Sequence, residues 1–379
     1  MTYLLQLLVG ALVLLSLPQS PVLAEEETGP EKWRISCFAY RDDNRNGIYD
    51  MADRPYGGLV VEFERPDGLT VLGRSNISGF ANFDMAFQNE EKGQITEEGV
   101  HIAKAVPPNG YKMTSDAGRQ EITFKAQKNA GGRMVAANNC VPMGVAPVLF
   151  IGGSVKRSEK TTATITREGG AQEELALDEL GTFYKLVEPG QWILRFTDAA
   201  SGKSLTRKVQ VKSHPVILST LTNLTETAPA SKPVTTVSFD DLTVSDTLYE
   251  IPSGYGGLYW WNWIATHHKF YRGNGYVNAT VSSEFIAYNS SGHPGTMWSE
   301  DGTTFDFVGT YISVAWPRAE KDFIYLKAWK GDELVHSDKL RLETSGSVYF
   351  QANYRGISKL ELTSGNYERI VLDDFSFRK

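Results

Sequence analysis

Cysteine and histidine are scarce in this sequence, with two and six among 379 residues. The cysteines, Cys37 and Cys140, show no spacing typical of a metal or redox motif. The chain has no G-x-S-x-G, H-E-x-x-H or P-loop motif, and no cysteine or histidine in a nucleophile context. We therefore expect a protein that is not an enzyme.

A net positive charge and long hydrophobic runs are also lacking. The net charge of −7 argues against a nucleic-acid partner. One apolar run, Leu4–Leu17, is too short to span a membrane comfortably. It is followed by a short segment that ends at Ala24, a small residue suited to a signal-peptide cleavage site. We interpret residues 1–24 as an export signal, with a retained anchor as the alternative. The mature chain is then expected to lack a transmembrane segment and to be secreted or at the cell surface.

The segment Asp42–Asp53 carries oxygen ligands at the spacing of a twelve-position calcium loop. Gly47 stands at position 6, where such a loop turns sharply. The shorter Asp replaces the usual Glu at position 12, and a polar turn that binds nothing is the alternative. The candidate calcium ligands are the side chains of Asp42, Asn44, Asn46, Asp50 and Asp53 and the backbone carbonyl of Ile48.

The residues on both sides of this loop alternate like strands. Trp33–Tyr40 precedes it, and Gly57–Glu64 follows it with β-branched residues. An EF-hand would need a helix on each side. The pattern therefore predicts a calcium loop between two strands.

With Gly79-Phe80-Ala81-Asn82-Phe83 further on, residues 33–113 resemble the B-type repeat domain of serine-aspartate repeat surface adhesins. The resemblance implies a prealbumin-like β-sandwich at residues 30–144, in which calcium is structural and pins two strand ends. In an exported chain Cys37 and Cys140 can also form a disulfide, which would tie the ends of this module together. Two buried free thiols are the alternative.

A second module is predicted at residues 145–222. Its turns at Gly181 and at Pro189-Gly190 flank an alternating strand, and Trp192 is expected to face inward. This pattern resembles collagen-adhesin B-type and carboxypeptidase-regulatory-like sandwiches. Residues 223–236, rich in Thr, Ala and Pro, are predicted to form a linker.

Residues 237–379 contain many short strand-like runs separated by turns, which predicts a β jelly roll. Tyr276–Val281 is among the predicted strands. The pieces Phe239–Leu242, Ile251–Trp260 and Leu372–Phe375 resemble galactose-binding-like jelly rolls of exported PEP-CTERM-type proteins. The predicted fold is thus all-β, with a signal peptide, two prealbumin/Ig-like sandwiches and a jelly roll.

Two acidic pairs frame the jelly roll. If its first and last strands are neighbours, these four carboxylates would repel unless they share a second calcium. Acids exposed at strand ends are the alternative. The pairs are Asp240-Asp241 and Asp373-Asp374.

Aromatic side chains cluster in the stretch GYGGLYWWNW, and their faces could stack on sugar rings. Trp260 and Trp261 cannot both be core residues in an extended strand, since successive residues face opposite sides. Core packing is the alternative for the others. The candidate ligand-binding residues are Tyr255, Tyr259, Trp260, Trp261 and Trp263.

These patterns favour a non-catalytic, surface-associated adhesin-like protein. In this hypothesis a calcium-stiffened stalk presents a jelly roll that binds glycan or extracellular matrix. The alternatives are a carbohydrate-active enzyme with its site in the jelly roll, since paired carboxylates cannot be recognised without geometry, and a purely structural matrix component.

Overall fold

The computed structural model describes residues 33–85, 98–124, 126–128, 134–136, 139–156, 158, 160–225, 232–242 and 248–379. The predicted export signal, at residues 1–24, lies outside these ranges. Strands make up 54% of the residues and helices 6%, which confirms the predicted all-β class with sandwiched sheets. No helix in the described ranges is long and apolar enough to cross a membrane.

The first module packs two sheets around a core that includes Ile35, Val61 and Phe83. Its strands are β1 (Trp33–Arg41), β2 (Arg54–Pro55), β3 (Val60–Glu64), β4 (Thr70–Arg74), β5 (Phe80–Met85), β6 (Gly99–Val106), β7 (Tyr111–Met113), β8 (Arg119–Phe124), β9 (Ala126–Lys128), β10 (Met134–Ala136) and β11 (Met143–Pro147). One sheet has the order β2-β1-β11-β7, with β5 also on β1, and the other has the order β4-β3-β6-β8. Strand β11 pairs in parallel with β1.

A disulfide joins Cys37 in β1 to Cys140, whose Cα atoms are 4.7 Å apart. The sequence left a pair of free thiols as the alternative, and the structure confirms the bridge. It links the first strand to the segment that leads into β11, so the two ends of the module are held together.

The second module has its own core, in which Trp192, Leu194 and Phe196 are buried. Its strands are β12 (Phe150–Ser154), β13 (Thr161–Arg167), β14 (Gln172–Glu174), β15 (Thr182–Leu186), β16 (Gly190–Asp198), β17 (Lys203–Val211) and β18 (Val216–Leu218). Strands β14-β13-β16-β17 form one sheet, and β15-β12-β18 form the start of another. The inward position predicted for Trp192 is confirmed.

The C-terminal domain packs two sheets face to face around an aromatic core that includes Trp263, Phe307 and Phe375. Its elements are β19 (Thr235–Val237), β20 (Leu248–Glu250), β21 (Leu258–Trp261), β22 (Trp263–His267), α1 (Asn274–Ala279), β23 (Phe285–Asn289), β24 (Gly295–Ser299), β25 (Phe305–Val314), β26 (Ile324–Lys330), β27 (Glu333–Leu340), β28 (Val348–Ile357), β29 (Lys359–Ser364) and β30 (Ile370–Arg378). One sheet has the order β21-β24-β29-β26-β27; in the other, β28-β25-β30-β23-β22-β20, strand β19 also pairs with β30.

The second module and the jelly roll share one sheet. Strand β18 pairs in parallel with β28, with Val216 opposite Tyr349, so the backbone ladder crosses from one domain into the other. Backbone hydrogen bonds in such a ladder fix the relative position of the two strands. The two domains are therefore joined by sheet pairing as well as by the segment predicted as a linker.

One predicted strand is wrong. Tyr276–Val281 was expected to be extended, but most of it belongs to α1, whose residues from Gly275 to Ala279 are all buried. Alternation of apolar and polar residues reports a strand only when one face is exposed. Here the segment is enclosed on every side, and a Cβ on Gly275 would lie 2.3 Å from the carbonyl oxygen of Ala315.

Candidate metal and ligand sites

The predicted calcium loop connects β1 to β2 and is therefore flanked by strands, as expected. The carboxylate of Asp42 is buried and accepts hydrogen bonds from the backbone N–H groups of Asn46 (3.1 Å) and Gly47 (2.8 Å). Gly47 has φ +78°, a conformation that glycine adopts without strain. A Cβ on this residue would also lie 2.9 Å from the carbonyl oxygen of Thr114.

The other loop side chains form hydrogen bonds within the loop. The amide groups of Asn44 and Asn46 donate to Oδ2 of Asp50 at 2.9 and 2.8 Å. The carboxylate of Asp53 accepts from the backbone N–H groups of Asp43 (3.1 Å) and Asp50 (3.0 Å). A calcium ion would require Asn44 and Asn46 to present their carbonyl oxygens instead of their N–H groups. The donor set fits calcium, and the loop would have to rearrange these two side chains to bind it.

Electrostatics in the loop reflect the crowding of three carboxylates. Burial raises the pKa of Asp53, and the charges of Asp42 and Asp50 raise it further. The pKa of the neighbouring Tyr40 is raised to about 12 by burial and by the same acids. In contrast, hydrogen bonds from the Ala52 backbone and from the two Asn side chains lower the pKa of Asp50. A cation at this centre would relieve the repulsion.

Three of the four jelly-roll acids, Asp240, Asp373 and Asp374, lie around the segment 281–285, and Asp374 is hydrogen-bonded to the Ser282 side chain. The buried Asp373 accepts hydrogen bonds from the backbone N–H groups of Val281 (2.7 Å) and Ser282 (2.9 Å), and Asp240 accepts from those of Glu284 and Phe285 (3.0 Å each). This agrees with the expected pairing of the first and last strands, since Val237 of β19 faces Phe375 of β30.

The same three acids influence one another electrostatically. Burial raises the pKa of Asp373 to about 7, and the charge of Asp374 contributes. Burial likewise raises the pKa of Asp374, with a contribution from Asp240. Asp241 instead accepts a hydrogen bond from the hydroxyl of Tyr255 at 2.6 Å. Across the described ranges, however, no three His, Cys, Asp or Glu side chains are grouped as closely as a preformed metal site.

The predicted aromatic platform divides between core and surface. Trp260 is 4% exposed and Trp263 0% exposed, and both pack inside the jelly roll, so their assignment to a sugar platform is wrong. Tyr255 is half-buried and packs against this core. Trp261, on the opposite face of β21 from Trp260, is 51% exposed. The strand alternation thus separates neighbouring tryptophans as expected.

The outer face of the β21-β24-β29-β26-β27 sheet carries an aromatic row. Tyr259 stacks on Trp298 with ring centroids 4.3 Å apart. In register across the next strands, Trp298 faces Lys359, and Lys359 faces Trp329. The Lys359 ammonium lies 3.8 Å from the centroid of the Trp329 ring. Four strands at about 4.8 Å spacing give this row a width of about 14 Å.

Sequence reasoning did not identify Trp298, Trp329 or Lys359 as site residues. They are distant from Tyr259 in the sequence, and cross-strand register alone aligns them. Each is adjacent to one inward-facing core residue of its strand, which is Met297, Leu360 or Ala328. A search for aromatic residues at outward positions of predicted strands would have found Trp329, but no strand was predicted around Trp298.

No protein-family model matches the sequence, and no curated protein matches it. Among solved structures, it is similar to the Bacillus anthracis TIE protein at 14% sequence identity. The match covers 52% of this chain and 34% of that chain, with a TM-score of 0.24. The shaft pilin SpaA of Lactobacillus rhamnosus GG matches at 12% identity, and the match covers 52% of this chain and 100% of that chain with a TM-score of 0.23. The CBM51-2 and INT domains of Clostridium perfringens ZmpB match at 13% identity, and the match covers 54% of this chain and 43% of that chain with a TM-score of 0.25.

The chain therefore spans about a third of the length of the TIE protein. At these identities and TM-scores the matches carry no inference about function. The resemblances to B-type repeat, carboxypeptidase-regulatory-like and PEP-CTERM-type proteins remain predictions from sequence motifs.

Proposed function

We propose that this protein is a non-catalytic, exported or cell-surface-associated adhesin-like β protein whose jelly roll binds glycans. One observation carries the proposal: the outer aromatic row of Tyr259 and Trp298, with the exposed Trp261 beside it. Exposed apolar patches on soluble proteins commonly mark interaction sites. A pyranose ring offers flat C–H faces to aromatic rings and hydroxyls to nearby polar groups.

The polar neighbours of the row suit a hydroxylated ligand. The partly exposed Glu361 of β29 lies opposite the buried Thr296, which in turn lies opposite Trp261. Lys359 completes the row between the two tryptophans. Aromatic walls with a few placed polar groups are typical of small-ligand sites. The flatness of a sheet face favours an extended polysaccharide over a small free sugar.

Retention on polysaccharide gels tests this site. The double variant Tyr259→Ala, Trp261→Ala should lose most of the retention that the unaltered protein shows in a panel of immobilised neutral polysaccharides. Tyr184→Ala, which removes an exposed tyrosine of the second module, is the matched control and should be retained normally. The proposal fails if the double variant is retained as strongly as the control, or if none of the polysaccharides retains the unaltered protein.

We also propose that the Asp42–Asp53 loop holds a structural calcium ion. Asp42, Asn44, Asn46, Asp50, Asp53 and the Ile48 carbonyl would be its ligands. When bound, calcium would supply positive charge that offsets the carboxylate repulsion and stiffens the link between β1 and β2. A second ion near Asp240, Asp373 and Asp374 would act in the same way between the first and last jelly-roll strands; Asp241 is engaged elsewhere by Tyr255.

Calcium titration calorimetry with a chelated reference separates the two sites. We expect two ions per chain with dissociation constants on the order of 10⁻⁴ to 10⁻³ M, as for extracellular modules. Asp42→Ala with Asp50→Ala should remove one ion, and Asp374→Ala should remove the other. Asp332→Ala, at an exposed jelly-roll acid, is the control and should keep both. Equal stoichiometry in all variants would refute both assignments.

A further inference from the structure

Four loops of the jelly roll meet around a cleft of about 640 Å³. Tyr271 comes from the segment after β22, Ser291 from the segment after β23, Trp316 from the segment after β25, and Tyr367 and Arg369 from the segment before β30. The aromatic row lies elsewhere, on the outward face of the five-stranded sheet. The cleft is therefore a separate concave surface with three aromatic residues in its lining.

Arg369 gives this cleft a positive charge that no described residue cancels. Its Nη1 donates to the hydroxyl of Tyr276 at 3.0 Å, and its guanidinium lies over the rings of Tyr271 (4.5 Å to the centroid) and Tyr288 (4.9 Å). None of the carboxylates in the described ranges lies within ion-pair distance of it. The second arginine of the cleft differs, since Nε of Arg318 lies 2.8 Å from the carboxylate of Glu368.

The tyrosines that hold Arg369 do not neutralise it. Burial raises the pKa of Tyr276 to about 12, and burial together with the hydrogen bond between the Tyr288 and Tyr271 hydroxyls raises the pKa of Tyr288. Both hydroxyls are therefore protonated at neutral pH. They fix the orientation of the guanidinium and leave its charge available, and a half-buried arginine of this kind favours an anionic partner that can accept two parallel hydrogen bonds.

The loops around the cleft are held in fixed conformations. Ser291 (φ +54°) and Tyr367 (φ +57°) both adopt left-handed backbone conformations, which are costly for residues other than glycine. The two loops also touch closely, because a Cβ on Gly292 would lie 1.5 Å from the carbonyl oxygen of Tyr367. Such positions persist where the surrounding structure determines them. The cleft is therefore preformed, with Tyr367 66% exposed at its rim.

We propose that this cleft binds an anionic saccharide, with the carboxylate or sulfate group on Arg369 and the sugar ring against Trp316 or Tyr367. The inference deepens the proposed function, because it rests on glycan binding by the jelly roll and adds a second, charge-selective site. A guanidinium without a carboxylate partner selects the charge, and the aromatic walls select a ring with apolar faces. A neutral glycan satisfies only the second requirement.

Tryptophan fluorescence and calorimetric titration test the site on the purified protein. The probes are a galacturonate trisaccharide, its neutral methyl ester, and a sulfated galactan trisaccharide. The galacturonate or the sulfated probe should bind at least tenfold more tightly than the neutral ester, and the stronger of the two identifies the anionic group. Arg369→Gln should weaken that binding tenfold or more, whereas Arg369→Lys, which keeps the charge, should lose less.

Arg272→Gln is the matched control, since it removes an exposed arginine next to Tyr271 that does not line the cleft. It should bind the anionic probe normally, and so should the double variant Tyr259→Ala, Trp261→Ala. Equal binding of the neutral ester, or unchanged binding by a folded Arg369→Gln protein, would overturn the cleft proposal while leaving the aromatic row untouched. Loss of anionic binding in the Tyr259→Ala, Trp261→Ala protein would instead place that ligand on the outer face.

Discussion

Arg41 of the first module donates a hydrogen bond from Nη1 to the carbonyl oxygen of Asn278 in the jelly roll, at 2.9 Å. Its Nη2 donates to the carbonyl oxygen of Thr280 at 2.8 Å, just past the end of α1. Asp43 lies 2.6 Å from Nε of the same guanidinium. Arg41 is 1% exposed, so a guanidinium paired with Asp43 of its own module makes a buried contact with the jelly roll.

Arg41→Gln should destabilise the protein strongly. Removing one partner of a buried pair leaves the other uncompensated and typically costs about 3–5 kcal/mol. The free energy of unfolding, measured by urea denaturation, should fall by about that amount. Arg119→Gln is the control, because its ion pair with Glu121 is exposed and spans 3.7 Å; a change within about 0.5 kcal/mol is expected. Similar losses in the two variants would show that the buried pair has no special weight.

Asn278→Ala should weaken the same contact from the jelly-roll side. The Asn278 side chain accepts from the backbone N–H of Gly57 (3.1 Å) and donates to the carbonyl oxygens of Gly57 (2.8 Å) and Thr344 (3.1 Å). Truncation leaves buried backbone groups unpaired, at about 1–3 kcal/mol. Because the first module and the jelly roll are then held together less tightly, limited proteolysis should cleave the variant faster than the unaltered protein. Unchanged digestion would indicate that the domains are held by other contacts.

Reduction of the Cys37–Cys140 bridge should lower the melting temperature. The bridge spans 103 positions of the sequence, and in the chain-entropy model a loop of this size contributes up to about 4–5 kcal/mol. The double variant Cys37→Ala, Cys140→Ala should melt lower than the oxidised protein. Adding reductant to this variant should cause no further change, which separates loss of the bridge from other effects of the reductant. Equal melting temperatures with and without the bridge would contradict the prediction.

The first module was the part of the structure best predicted from the sequence. Gly47 and the alternating strands are local signals, and they indicated a loop between strands without any knowledge of the fold. Alternation also separated Trp260 from Trp261. Alternation could not show whether Trp263 is buried or binds sugar. The two kinds of tryptophan have the same sequence signal and differ only in which residues pack over them.

The cleft and the contact of Arg41 with the jelly roll could not be predicted from the sequence. Trp316 and Arg369 are far apart in the chain, and only the packing of turns brings them together. A weak signal does exist, since an aromatic residue stands two positions before an arginine in two of the segments that line the cleft, Trp316-Pro317-Arg318 and Tyr367-Glu368-Arg369. Arg41 gives no such signal for its contact with the jelly roll, because its partners there are backbone carbonyls.

Acidification should destabilise the protein where the second module meets the jelly roll. His214, which is 2% exposed, packs there against Tyr311. Burial, and then the charge of Arg41, lowers its pKa from 6.5 to about 3. Its stabilising contribution is complete above pH 6.5 and is lost as the pH falls toward 3, because the unfolded chain takes up a proton that the folded chain does not. The other charged groups that affect this ring are Asp43, which opposes the shift, and Arg45 and Arg54, which add to it.

At pH 5 this linkage should cost the unaltered protein about 2 kcal/mol relative to pH 7, from about 1.4 kcal/mol per pKa unit. His214→Phe keeps a ring against Tyr311, whose centroid lies 5.2 Å away, but cannot titrate. The variant should therefore lose about 2 kcal/mol less than the unaltered protein between pH 7 and pH 5 in urea unfolding. His268, whose pKa burial lowers to about 4, responds in the same direction but is present in both proteins, so it cancels in the comparison. If both proteins lose the same stability, His214 takes up its proton in the folded state and the buried, neutral ring described here is wrong.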